Sequence, residues 1–425
     1  MKKRIYIFCL IFLMVLVLIN CGKRKKNGVE VRVAYWGSPE EIKIITDTVR
    51  NWEKEHPNIS VKLQHTSGGT AYISKILTQI AGGDAPDIVF AEVNVFVPMF
   101  EKGVFLDLTP FIKKDKDFNI DDFFQPVVRR FTRNGKIYCI PRDTAPFACV
   151  YYNKKLFDEA GIDYPTDDWR FDDLVRIAKK LTKRDSNGRV IQYGFYSWAW
   201  MNFVYSFGGR IVDNVENPTR CCLDEPSALK GLQFYVDLCH KYKVSPPPLT
   251  LKSMDQGPLE MFMAGRLAMF NSGIWETPRL RTITDFDWDV VMFPRGPVKR
   301  AFGTGGSGYC ILKSTKYPEE AWEVLKCLAG DYGQIWLAKT GLAQPANKRI
   351  AESKYWAGSP EKPLNKKMLN EAVKYAIYEP FHPKWQEAQD KYLKEALDMV
   401  FDKKMTPEQF AKKIVPEINK LMFGK

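Results

Sequence analysis

"VRVAYWGSPEEIKIITDTVRNWEKEHPNISVKLQHT", residues 31–66, sets out a strand, a helix and a second strand in direct succession. "VRVAYW" opens with the alternation of a half-buried strand. Ser38 followed three residues later by Glu41 is a capping-box signature, and Pro39 suits the first helical position. Ile42, Ile45, Val49 and Trp52 then fall on one helix face, Pro57 stops the helix, and "ISVKLQHT" begins the next strand.

Further along, the pair Gly68-Gly69 leads into a helix carrying Ile73, Ile76, Leu77 and Ile80, which Gly82-Gly83 ends. "APDIVFAE" follows as a nearly continuous apolar strand. Strand, helix, strand, helix, strand predicts an α/β fold on a parallel sheet. Ligands collect at the carboxyl ends of such strands, which nominates Trp36, Gly37, Ser38, Glu92 and Asn94. The second half reads in the same style, with helices predicted near 171–182, 225–242, 318–329 and 386–401.

Toward the N-terminus, Met1-Lys2-Lys3-Arg4 precedes an uncharged stretch from Ile5 to Ile19. A basic start and an apolar run shorter than the ~20 residues of a spanning helix predict an export signal over residues 1–20. Its removal lowers the formal charge from +13 to +10. "LINC" resembles a lipobox, in which Cys21 is acylated. Residues 21–30, with Lys23 to Lys26, then form a basic tether. An uncleaved anchor is the alternative.

Some 400 remaining residues exceed one typical core and predict two globular lobes. At 45% hydrophobic and 27% charged, the composition is that of a soluble chain. Its cations are spread along the sequence among Asp and Glu, with no nucleic-acid motif, so no nucleic-acid partner is expected. Seven cysteines lie beyond Cys21, an odd number without C-x-x-C spacing. They read as buried apolar residues, with a single Cys139–Cys149 bridge left open.

Catalytic signals are few. Four histidines make no H-E-x-x-H, and neither G-x-S-x-G nor a P-loop occurs. No metal, no cofactor and no enzymatic activity are expected, although a two-carboxylate glycosidase stays open as an alternative. Aromatic residues in loops stand out instead. "YSWAWMNF" sets Trp198 and Trp200 two apart, which predicts one face of a strand or extended loop, and "NSGIWETP" places Trp275 after a glycine. An indole stacks on the C–H face of a sugar ring while carboxylates, amides and backbone groups take its hydroxyls. Trp52, Trp322 and Trp336 lie on predicted helix faces and read as core.

These residues meet a family in "NWEKEHPNISVKL", "ILTQIAGGDAPDIVFAE", "VYYNKKLFDEAGI", "MFMAGRLAMFNSGIWE" and "GTGGSGYCILKST". The chain resembles the family 1 extracellular solute-binding proteins, the maltose-binding-protein-like receptor lipoproteins of carbohydrate ABC transporters. The resemblance implies a two-lobed periplasmic-binding-protein fold of type II, with a hinge and an interlobe ligand cleft. The implied lobes are 31–145 with 306–332, and 146–305 with 333–425. Crossings fall near Ala145 to Cys149, Gly303 to Gly308, and Ala329 to Gln334.

Also implied are a carbohydrate ligand, docking of a monomer on a two-subunit ABC permease, and a place outside the cytoplasm, held to the membrane by lipid. Ligand contacts carried over by the resemblance are Trp36, Ser38, Glu92, Asn94, Asp143, Thr144, Trp198, Trp200, Trp275, Gly305, Gly306 and Ser307, with Tyr72 and Trp385 as further candidates. Asn94 stands where the maltose receptor has aspartate, so maltose itself is not implied. A glycerol phosphate or a polyamine is the alternative solute.

Overall fold

The structure is a computed structural model that describes residues 28–254 and 257–425. The export signal, Cys21 and most of the tether lie outside the described residues. The opening elements are β1 (Val29–Tyr35), α1 (Pro39–Glu55), β2 (Ile59–His65), α2 (Thr70–Ala81), β3 (Ile88–Glu92) and α3 (Val93–Glu101). β1 runs parallel to both β2 and β3, as the strand–helix alternation predicts. Ser38 Oγ accepts the Glu41 amide across 3.2 Å, and α1 buries Ile45, Val49 and Trp52 against the sheet. The capping box is only half made, because the Glu41 carboxylate turns away to Arg142.

Besides two short hairpins over residues 132–137 and 183–192, the later strands are β4 (Ile140–Pro141), β5 (Cys149–Asn153), β6 (Tyr196–Ser197), β7 (Met269–Ser272), β8 (Trp288–Met292), β9 (Phe302–Thr304), β10 (Ser307–Ile311) and β11 (Ala376–Tyr378). They form two main sheets, ordered β2-β1-β3-β10-β4 and β6-β7-β5-β8. The expectation of a wholly parallel sheet is corrected here. β10 re-enters from the other sheet and runs antiparallel to β3 and β4, and β5 is antiparallel to β7 and β8.

Residues 142–148 and 293–306 carry the chain between the sheets. β9, inside the second passage, pairs in parallel with β11. Among the later helices, α4 (Phe171–Leu181), α5 (Trp200–Ser206), α6 (Pro226–His240), α7 (Pro318–Ala329) and α8 (Asp331–Thr340) cover the sheets. α4 turns Phe171, Leu174, Ile177 and Leu181 inward, a stripe in which each side chain contributes about 1.5–3 kcal/mol on burial. Around the expected third crossing, Gln334 Nε2 donates to the Pro141 and Ala329 carbonyls, and the chain joins the larger core from Ile335 onward.

Each lobe has its own core. Val31, Val33, Ile88, Phe90 and Ile311 pack with Trp52 and Trp322 in the first, confirming the core reading of those two tryptophans. Tyr151, Phe270 and Val290 pack with Leu174, Leu232 and Phe262 in the second. All seven cysteines from Cys139 to Cys327 are buried and free, so the Cys139–Cys149 bridge is not formed. Among the described residues no helix is long and apolar enough to cross a membrane.

Candidate functional site

A cavity of about 590 Å³ lies between the lobes, within the usual range for a small-molecule site. Its first wall rises from the carboxyl ends of β1 and β3. Trp36 meets Phe90 edge-on with ring centroids 4.5 Å apart. Behind it, Tyr72 packs edge-on at 4.7 Å, fully buried, its hydroxyl donating to the Ala34 carbonyl across 2.9 Å. Tyr72 therefore props the indole and does not face the cavity. A Cβ on Gly68 would stand 3.2 Å from the Trp36 ring, so that loop approaches closely only because it lacks one.

The opposing wall is Trp275 with Phe147, ring centroids 6.0 Å apart. Gly273 is what lets Trp275 lie there: a Cβ at that position would fall 1.8 Å from the indole. Glu276 Oε1 accepts from Trp275 Nε1 across 3.1 Å and from Ser272 Oγ across 2.8 Å. Ser272 Oγ in turn accepts Trp198 Nε1 across 3.3 Å, and Trp198 stands 6.3 Å behind Trp275, centroid to centroid. This relay of hydrogen bonds fixes the orientation of the outer indole.

Carboxylates occupy the space between the walls. Arg142 donates through Nη1 to Glu41 Oε1 across 2.5 Å and through Nε to Asp143 Oδ2 across 2.8 Å. Its guanidinium also sits 4.4 Å over the Phe90 ring. Burial works against the Arg142 charge, but Glu41 and Asp143 outweigh it and hold its pKa above the ordinary value. Asp143 further accepts from the Ser307 amide at 3.0 Å and the Ser307 hydroxyl at 2.5 Å, tying the two crossing segments together. Ala145, in the same crossing, has φ of +38°, a conformation that favours glycine and marks strain at the hinge.

Glu92 and Glu379 line the same cavity. Burial, with the Glu379 and Asp143 charges adding to it, pushes the Glu92 carboxyl up to about 8. Burial also raises Glu379, against the lowering influence of Trp385, Gln389 and Arg130. Glu276 is raised by burial despite its two hydrogen bonds. The protein is basic as a whole, yet its cleft is acidic.

Of the residues nominated from sequence, Trp36, Gly37, Ser38, Glu92, Asp143, Trp275, Gly305 and Ser307 line the cavity together. The others are placed elsewhere. Asn94 Nδ2 donates to Gln386 Oε1 across 2.7 Å, and Thr144 is buried against Gln344. Trp385 is buried beside Glu379, and Gly306 forms the turn with φ of +76°. Trp198 and Trp200 do not share a strand face: the Trp200 amide donates to the Trp198 carbonyl and the chain turns into α5, leaving Trp200 packed against the larger core.

Sequence reading passed over Glu41, Phe90, Arg142, Phe147, Glu276 and Glu379, all of which line the cavity. Glu276 had a signal, since it directly follows Trp275. Phe90 sits in an apolar strand and reads as core, while Glu379 lies in "YEPFHP", where nothing marks a site.

Comparisons with known proteins agree with the two-lobed fold. The sequence profile described as "Bacterial extracellular solute-binding protein" matches residues 26–335. A solved ABC substrate-binding protein of Listeria monocytogenes, in complex with cycloalternan, superposes with a TM-score of 0.81 at 29% identity, covering 92% of this chain and 98% of that one. The maltose-bound MalE3 of T. maritima shares the fold with a TM-score of 0.78 at 22% identity, covering 93% of this chain and all of its own. The arabinooligosaccharide-binding protein of Halalkalibacterium halodurans is 24% identical over 319 residues, 73% of this chain and 67% of its own length.

Proposed function

Because the chain belongs to the bacterial extracellular solute-binding protein family, we propose that its cleft takes a sugar or oligosaccharide and delivers it to an ABC permease for import. The protein is a solute-binding receptor that works outside the cytoplasm. The observation that carries the sugar reading is the pair of aromatic walls, Trp36 with Phe90 and Trp275 with Phe147, set on opposite lobes around carboxylates. Rings give a pyranose two apolar faces to stack on, and the carboxylates accept its hydroxyls. A phosphorylated solute would call for free cations in the cleft, whereas Arg142 is committed to Glu41 and Asp143 and Arg279 pairs with Glu260 at 3.3 Å.

The receptor binds as a monomer and makes no covalent change to its ligand. Closure of the lobes about the crossings brings both walls onto the sugar. Trp36, Ser38, Glu92, Asp143, Trp275, Gly305 and Ser307 are the contacts, with Glu41, Arg142 and Glu276 holding them in place. Lipid on Cys21 and the basic stretch from Lys23 to Lys26 keep the receptor at the membrane that holds its permease.

A thermal-shift screen against neutral oligosaccharides, glycerol phosphates and polyamines tests the reading. A ligand that binds only the folded form raises the melting temperature by mass action. A shift with a sugar class supports the receptor and names its solute; a shift with a phosphate or polyamine alone refutes the sugar. Loss of lipid labelling in Cys21→Ala tests the anchor.

A further inference from the structure

Two side chains of the first lobe reach across to the second beside the cleft. Thr70, the first residue of α2, donates through Oγ1 to Asp390 Oδ2 across 2.8 Å. Asn94, in the first turn of α3, donates through Nδ2 to Gln386 Oε1 across 2.7 Å. Gln386 Nε2 donates in turn to Asp390 Oδ1 across 3.1 Å, so the two contacts form one chain. α2 and α3 bury Tyr72, Ile76 and Phe96 with Val89 and Ala91 of β3 in the first lobe. The helix Trp385–Ala388 and the π-helical turn Gln389–Leu393 bury Trp385, Ala388 and Leu393 in the core of the second. Such π-helical turns are rare and concentrate at functional sites.

The chain runs just outside the cavity. Gly68 and Glu92 line the cavity two residues before Thr70 and Asn94, and Glu379, which Gln389 Nε2 reaches across 3.4 Å, lines it from the second lobe. Arg130 of the first lobe adds a further crossing, through Nη1 to Glu216 across 2.6 Å and through Nη2 to the main-chain oxygen of Glu379 across 2.7 Å. These contacts are all between protein atoms, so none waits for a ligand. The Asp390 carboxylate also stands at the N-terminus of α2, where the helix dipole favours negative charge and where the cap residue, Gly69, makes no side-chain bond. Thr70 and Asp390 are exposed while Asn94 and Gln386 are half-buried, so the chain spans the gap from the rim inward.

We propose that Thr70, Asn94, Gln386 and Asp390 form an interlobe latch that holds the lobes mainly closed before any ligand binds, so that solute enters and leaves only when the latch parts. The latch acts on closure and not on the solute, and it does not depend on the reading of the cleft as a sugar site. Because it stabilises the closed form equally with and without ligand, it governs the rates of exchange and leaves the binding constant nearly unchanged.

Single-pair FRET between dyes at the exposed residues Lys62 and Lys180, one on each lobe, reads the closed-to-open ratio of the full-length protein before ligand is added. The wild type should be mainly closed. Thr70→Val with Asn94→Ala, and separately Gln386→Ala with Asp390→Ala, should each lower that ratio by about tenfold, the size expected for two lost hydrogen bonds. With maltotriose and mannotriose as probes, stopped-flow tryptophan fluorescence should show association and dissociation both severalfold faster in each double variant, with Kd changed by less than about threefold. A wild type found mainly open, an unchanged ratio in either double variant, or a Kd that weakens without faster association would overturn the latch and leave the sugar receptor standing. If one double variant does not melt cooperatively the other decides, and failure of both would make the four residues structural and overturn the latch too. If no oligosaccharide binds the wild type the sugar reading fails, and the FRET ratio measured without ligand still decides the latch.

Discussion

Arg142 holds Glu41 across 2.5 Å and Asp143 across 2.8 Å, so one buried guanidinium joins the first turn of α1 to the first crossing between the lobes. The same arrangement explains why the Ser38–Glu41 capping box stays half made. The carboxylate that would close it is used in the cleft.

Replacing Arg142 by methionine leaves two carboxylates largely buried without a counter-charge. Breaking a buried pair in this way costs about 3–5 kcal/mol. Arg142→Met should show a loss of that order in urea unfolding, and adding Glu41→Gln should restore part of it. A loss no larger than that of an exposed ion pair would show the network to be solvated.

The second prediction concerns Trp275 and the glycine beneath it. Trp275→Ala removes one wall of the cleft and should weaken sugar binding by about 2 kcal/mol, the size of an interface hot spot. Gly273→Ala keeps the indole but puts a methyl where the ring now lies, and should weaken binding comparably. Calorimetry on both variants checks this, and unchanged affinity in either would remove Trp275 from the site.

Glu92 supplies a pH dependence whose sign is fixed. Its folded pKa, about 8, lies above the ordinary 4.5, so between those values the folded state retains a proton that the unfolded chain has lost. Stability from this group is therefore unaffected below pH 4.5 and falls as pH rises toward 8. Glu92→Gln is neutral throughout. It should match the parent at pH 4 and exceed it at pH 9, by on the order of 2 kcal/mol once solvent screening is allowed for. Urea unfolding at the two pH values reads the difference, and a variant less stable at pH 9 would refute it.

The seven free cysteines from Cys139 to Cys327 are all buried, and burial pushes Cys239 up to about 12. A thiol reagent at pH 8, applied to the Cys9→Ser/Cys21→Ser variant, should react slowly with these seven thiols in the native protein and fully once it is unfolded. Rapid labelling of the native form would place at least one thiol at the surface.

Local periodicity carried much of the fold. The helix from Pro39 and the strand ending at Glu92 were legible because a capping residue, a 3.6-residue apolar repeat and a run of β-branched residues act over a few neighbours. The mixed direction of the sheet was not legible. β10 pairs with β3 only because the chain has first gone out to the second lobe and returned, and no local pattern encodes that path.

The site divides along the same line. Trp36, Glu92 and Trp275 could be nominated from sequence because a strand end or a glycine-flanked aromatic marks them locally. Trp198 and Trp200 misled, since a two-residue spacing says nothing once the chain turns into a helix between them. By itself the sequence determined the two-lobed class, the family, and the aromatic and acidic character of the candidate cleft. Only the tertiary structure decided that Arg142 is spent on Glu41 and Asp143, that Asn94 answers to Gln386, and that Glu379 stands in the cleft beside Glu92. Such long-range pairings depend on how separate elements meet in space, and that is set by the packing of the whole chain rather than by any stretch of it.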